Sequence, residues 1–143
     1  MRRLIPFVAL FFVTACGGDN APTAPTIPPT TSAPYSQTDL VVGTGAVAQS
    51  GSQITVAYTG WLHDSSKPDA KGTQFQTNPS FPFRLGVGAV IRGWDQGVVG
   101  MRVGGQRRLV LPPDLAYGNN PPPNSGIPTN ATLIFDVTLN SVQ

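Results

Sequence analysis

Leu133-Ile134-Phe135-Asp136-Val137-Thr138-Leu139 sets Leu133, Phe135, Val137 and Leu139 on one side and Ile134, Asp136 and Thr138 on the other. Successive side chains of a strand point to opposite faces, so this alternation predicts a strand with one face against a core. Ile54, Val56 and Tyr58 alternate with Thr55 and Ala57 in the same way, and Leu109 and Leu111 extend a third strand out of Gln106-Arg107-Arg108. Leu40–Val42, Thr73–Gln76 and Phe81–Leu85 are shorter candidates, separated by Gly, Pro, Asn and Ser turn chemistry. A single segment has helical spacing: Ile91, Trp94, Val98 and Met101 fall at i, i+3, i+7 and i+10. Gly93 and Gly97 flank Trp94 and would let that short helix lie close to a sheet. The reading is an α+β domain over residues 39–143, one antiparallel sheet wrapped on one short helix.

Composition narrows the chemistry. The chain has 143 residues, 11% of them charged, a formal net charge of +2, one Cys and one His. Nucleic-acid binding would need a basic stripe that this chain lacks. One Cys closes no internal disulfide, and one Cys with one His builds no structural zinc site. Gly86-Val87-Gly88-Ala89-Val90-Ile91 opens like a dinucleotide fingerprint but has Ile91 where the third glycine belongs, and no Lys-Ser/Thr pair follows Gly104-Gly105. His63 sits in a polar stretch and reads as a solvated loop residue. Arg107 and Arg108 read as cover for a solvent-facing edge. No metal and no cofactor is expected.

The first residues read as an address. Arg2 and Arg3 precede an apolar run, Leu4–Val13, that is too short to span a bilayer. Val13-Thr14-Ala15-Cys16 then resembles the lipobox of bacterial lipoproteins, which implies cleavage of residues 1–15 and lipidation of Cys16; an ordinary secretory signal with a stray Cys is the alternative. Cleavage would remove both leader arginines and bring the side-chain charge to zero. Residues 16–38 would then be anchor and tether: Ala21–Pro34 holds five Pro and four Thr, a composition that favours polyproline II and buries no core. The expected location is an exported protein, lipid-anchored to the cell envelope. Gly17 after the Cys favours the outer membrane by resemblance to a sorting rule, with the inner membrane as the other option.

Seven large rings, Tyr58, Phe75, Phe81, Phe83, Trp94, Tyr117 and Phe135, stand in a domain with few charges. Each could be simple core; rings from several elements could also line one concave pocket. The ordered motifs Val56-Ala57-Tyr58-Thr59-Gly60-Trp61-Leu62, Val90-Ile91-Arg92-Gly93-Trp94, Ala116-Tyr117-Gly118, Gly126-Ile127-Pro128 and Ala131-Thr132-Leu133-Ile134-Phe135-Asp136-Val137 strongly resemble the FKBP-type peptidyl-prolyl cis–trans isomerases. The resemblance covers essentially all of residues 39–143 and implies a strongly curved sheet. It implies a proline pocket with Trp94 as floor, Tyr58, Phe81, Val90 and Phe135 as walls, and Phe75 at the side. The Ile91 N–H and the Tyr117 hydroxyl would meet substrate carbonyls, and Ile127 would close the rim.

The family usually has Asp after the Phe at position 75, accepting from the Tyr at 58. Gln76 stands here, which keeps an acceptor, removes the charge and adds a donor. The resemblance therefore implies an isomerase with reduced activity on X-Pro bonds of exported proteins, assisting their folding. The alternative is a proline-binding or chaperone module with weak turnover. Expected partners are proline-containing unfolded or partly folded chains, and macrolides such as rapamycin. Neither an inserted flap domain nor a helical dimerisation arm is recognisable, so a monomer is expected.

Overall fold

The computed structural model describes residues 32–143. Residues 1–15, Cys16 and most of the expected tether lie outside the described residues. Five strands form one antiparallel sheet: β1 (Ser36–Val41), β2 (Gln53–His63), β3 (Lys71–Arg84), β4 (Gln106–Leu111) and β5 (Leu133–Val142), in the order β1-β4-β5-β2-β3. One short helix, α1 (Arg92–Gly97), lies between β3 and β4 in sequence. The expected α+β architecture is the observed one.

The two strands with the clearest alternation pair at the centre. β2 and β5 run antiparallel with Tyr58 opposite Val137 and Gly60 opposite Phe135. Ile54, Val56, Leu133, Val137 and Leu139 are all but inaccessible to solvent, and Leu109 and Leu111 of β4 join them. Trp94, Val98 and Met101 reach this core from α1 and the turn after it.

The glycines of α1 set its distance from the sheet. A Cβ at Gly93 would fall among the methyl groups of Leu111, and one at Gly97 would lie 2.7 Å from Leu109 Cδ2. Both leucines are fully buried and have little room to turn aside. Bare backbone at these two positions lets the helix rest directly on β4.

Three local readings change. The sheet begins at Ser36, three residues before the expected start at Asp39, and Tyr35 already packs against the core. Thr73–Gln76 and Phe81–Arg84 are parts of one strand, β3, which runs through Asn78-Pro79-Ser80 with register shifts against β2 and ends one residue before Leu85. β3 is an edge strand, where a proline without an N–H need cost no ladder bond. His63 is no loop residue: it ends β2, its N–H donates to the Thr132 carbonyl at 2.9 Å, and its Nδ1 is buried without a partner.

Arg107 and Arg108 are structural rather than a solvated edge. Arg107 is only 7% exposed. Its Nη1 donates to the carbonyls of Gly97 (2.8 Å) and Val99 (3.1 Å), and its Nε donates to Asp39 at 2.5 Å. One guanidinium thus satisfies the carbonyls at the end of α1 and fastens edge strand β1. On the outer face of the sheet Asp136 accepts from Arg108 Nε (2.8 Å) and Nη2 (3.1 Å) and from Lys71 Nζ (2.6 Å). Lys71 Nζ also lies 3.9 Å from the centre of the Trp61 ring.

Burial pushes the Asp136 carboxyl up, but the hydrogen bonds and charges of Arg108 and Lys71 outweigh it and hold the group below its ordinary 3.8. A depressed carboxyl stabilises the fold above its unfolded pKa and loses that contribution as pH falls through its folded one. Asp136→Asn should therefore lower stability by about 1–3 kcal/mol at pH 7. The difference from wild type should shrink as the pH falls below about 4. Denaturant unfolding of both chains at several pH values checks this; a gap independent of pH would refute it.

Candidate active site

Trp94 is the second residue after Arg92 opens α1, and the glycine on each side of its turn keeps the helix low over the sheet. The indole is 4% exposed and is met by other rings edge-on. Tyr58 of β2 stands 4.9 Å away at 86°, and Phe135 of β5 stands 5.3 Å away at 88°. Phe81 of β3 lies 6.2 Å away at 80°. Ring edges carry partial positive charge and ring faces partial negative charge, so perpendicular packing is favourable by about 0.5–1.5 kcal/mol per pair. Perpendicular neighbours also produce a floor with upright walls. The Trp94 Nε1–H is buried and has no hydrogen-bond partner among the described residues.

The cleft has a volume of 410 Å³ and is lined by Tyr58, Gln76, Phe81, Gly88, Ala89, Val90, Ile91, Trp94, Tyr117 and Phe135. No side chain in this lining is charged. Its polar side chains are those of Tyr58, Gln76 and Tyr117. The hydroxyls of Tyr58 and Tyr117 have no partner among the described residues, so both are available to a ligand. Burial raises both phenols above their ordinary 10.0, and at Tyr58 the nearby Tyr117 adds to the rise. Ile91 is the N-cap of α1: its carbonyl accepts from the N–H groups of Trp94 (2.9 Å) and Asp95 (3.3 Å), while its own N–H donates to no described residue.

Eight of the ten site residues expected from the sequence meet here: Tyr58, Gln76, Phe81, Val90, Ile91, Trp94, Tyr117 and Phe135. Two do not line the cleft. Phe75 packs edge-on against Phe135 at 5.6 Å and 89°, behind the wall. Gly60 makes room for that pair, since a Cβ there would lie 2.6 Å from Phe75 Cζ and 2.8 Å from Phe135 Cε1. Ile127 is 8% exposed and belongs to the core, its N–H donating to Ser125 Oγ at 3.3 Å. Gly88 and Ala89 line the cleft and were not expected there; backbone and a methyl group give a sequence pattern little to register.

A family model described as FKBP-type peptidyl-prolyl cis-trans isomerase matches residues 45–140. The chain belongs to this family. It is 50% identical over 103 residues to FK506-binding protein 4 of Dictyostelium discoideum, covering 72% of this chain and 27% of that one. It is 45% identical over 105 residues to the 46 kDa FK506-binding nuclear protein of Spodoptera frugiperda, covering 73% and 24%. The chain thus spans about a quarter of the length of these relatives. Among solved structures, AtFKBP13 superposes with a TM-score of 0.65 at 34% identity, covering 76% of this chain and 93% of that one. FkpA from Escherichia coli gives 0.64 at 34%, covering 76% and 48%.

One expectation is corrected by these relatives. The leader and Cys16 suggested export and a lipid anchor in a bacterial envelope. The two sequence relatives named above come from eukaryotes, and one is named a nuclear protein. The reading rested on a short N-terminal pattern alone, which lies outside the described residues.

Because the lining is uncharged, the affinity for a neutral proline peptide should be flat from about pH 5 to pH 9, below tyrosine ionisation. In Gln76→Asp alone it should vary across about pH 4–6, where the new carboxyl titrates. Calorimetric titration at a series of pH values checks both; a pH-dependent wild type would contradict the neutral site.

Proposed function

We propose that this chain is a peptidyl-prolyl cis–trans isomerase that turns X-Pro bonds in unfolded or partly folded polypeptides. The carrying observation is the uncharged aromatic cleft over Trp94. Rotation about a peptide bond crosses a barrier of about 18–20 kcal/mol because amide resonance must be given up. The twisted amide has less charge separation than the planar one and loses less on leaving water. A dry aromatic site is therefore relatively better for the twisted form, and only such differential binding accelerates the step.

Each residue has a part in this reading. Trp94 supports the prolyl ring, and Tyr58, Phe81, Val90 and Phe135 hold it from the sides. The free N–H of Ile91 and the Tyr117 hydroxyl hold the flanking carbonyls, fixing one side of the bond while the other turns. Phe75 acts from behind by supporting Phe135, and Ile127 by supporting the core. Gln76 supplies a neutral rim group beside Tyr58. No nucleophile or bond-breaking step is involved. We take residues 36–143 as the isomerase unit and the Pro- and Thr-rich residues before it as a spacer, on composition alone. The relatives named for FK506 binding make macrolides of that type candidate ligands of the same cleft.

The test is a protease-coupled isomerisation assay with a Xaa-Leu-Pro-Phe peptide and the full chain. Wild type should accelerate the reaction, and Tyr117→Phe should lower kcat/KM by about three- to tenfold, the worth of one hydrogen bond. Trp94→Ala should abolish activity. No acceleration until Gln76→Asp is introduced would instead mark a proline-binding module.

A further inference from the structure

Gly88, Ala89, Val90 and Ile91 form one wall of the cleft, yet they belong to no strand and to no turn of helix before α1. The stretch leading into them is open to solvent, with Val87 57% exposed. Hydrophobic packing therefore does little to hold it. Its backbone is nonetheless sharply specified: Gly86 has φ +80° and Gly88 has φ +76°, both in the region that favours glycine.

These two turns send two N–H groups to one carboxylate. Gly86 donates to Asp95 Oδ1 at 2.8 Å and Gly88 donates to Asp95 Oδ2 at 2.9 Å. Asp95 follows Trp94 directly on α1, and its own N–H donates to the carbonyl of Ile91. One residue thus ties both the near and the far part of the wall to the helix that carries the floor. Asp95 itself is not part of the cleft lining.

We propose that Asp95 is a positioning residue of the isomerase site, holding residues 86–90 so that Val90 and the Ile91 N–H face the bound peptide. The proposal rests on the reading of the cleft as the proline site. Both oxygens are needed. Asparagine keeps one acceptor and puts an NH₂ donor where the other N–H points, so one bond is lost and two donors face each other. Hydrogen bonds to a carboxylate are stronger than neutral ones, but these are exposed to water. Their effect should appear in the order of the loop more than in the stability of the domain.

The experiment compares the full chain as wild type, Asp95→Asn, Asp95→Ala, Gly88→Ala and the double variant Asp95→Ala/Gly88→Ala. Gly88 has open space for a Cβ, so Gly88→Ala perturbs the turn without a steric clash. Amide exchange at Gly86 and Gly88, peptide Kd by titration, kcat and thermal midpoint are measured. Asp95→Asn should weaken peptide binding by about three- to tenfold and Asp95→Ala by about tenfold or more, with kcat within about twofold. Gly86 should exchange faster in Asp95→Asn and Asp95→Ala, and Gly88 with it. The double variant should bind little worse than Asp95→Ala, since both changes release the same loop. Unchanged Kd, or losses in the two single variants that simply add, would overturn the role of Asp95. A wild type that binds the peptide without isomerising it would count against the activity and leave Kd and exchange to decide on Asp95.

Discussion

The whole site depends on how closely α1 can approach β4. Two missing side chains, at Gly93 and Gly97, let the helix backbone rest on Leu111 and Leu109. That seat fixes the height of Trp94, and Tyr58 and Phe135 on the two central strands then meet its ring at right angles. A helix held further out would leave a gap beneath the indole, which a packed interior tolerates poorly. The walls would then stand above a floor that was no longer there.

The polar groups serve this arrangement from outside the cleft. Arg107 reaches under the end of α1 to the carbonyls of Gly97 and Val99 and holds β1 through Asp39. Asp136, one residue from the wall ring Phe135, is held on the opposite face by Arg108 and Lys71. Asp95 holds the loop that completes the wall. None of these charged groups belongs to the cleft lining, which stays free of ions.

Much of this is legible in the sequence because it follows from periodicity. Alternation at Ile54–Tyr58 and Leu133–Leu139 marks the central strands, and the spacing of Ile91, Trp94, Val98 and Met101 marks the place of the helix, although of these four only Trp94 lies within Arg92–Gly97. What escaped depends on partners distant in the chain. Arg107 looks like a surface charge until the fold brings the end of α1 beneath it, 10 residues away, and Asp39 beside it, 68 residues away. Asn78-Pro79-Ser80 looks like a turn because its place on a sheet edge is a property of topology. Phe75 and Ile127 carry the right motif but lie outside the cleft lining, a difference of orientation that only the fold decides.

The seat of α1 can be tested by filling it. In Gly93→Ala the full chain should stay folded by circular dichroism while its affinity for a Leu-Pro peptide falls by about tenfold or more, the scale of a displaced core contact. Making room at the contact, with Leu111→Ala added to Gly93→Ala, should recover part of that affinity. Wild-type affinity in Gly93→Ala, or no recovery in the double variant, would contradict the claim that the glycine contact sets the floor of the site.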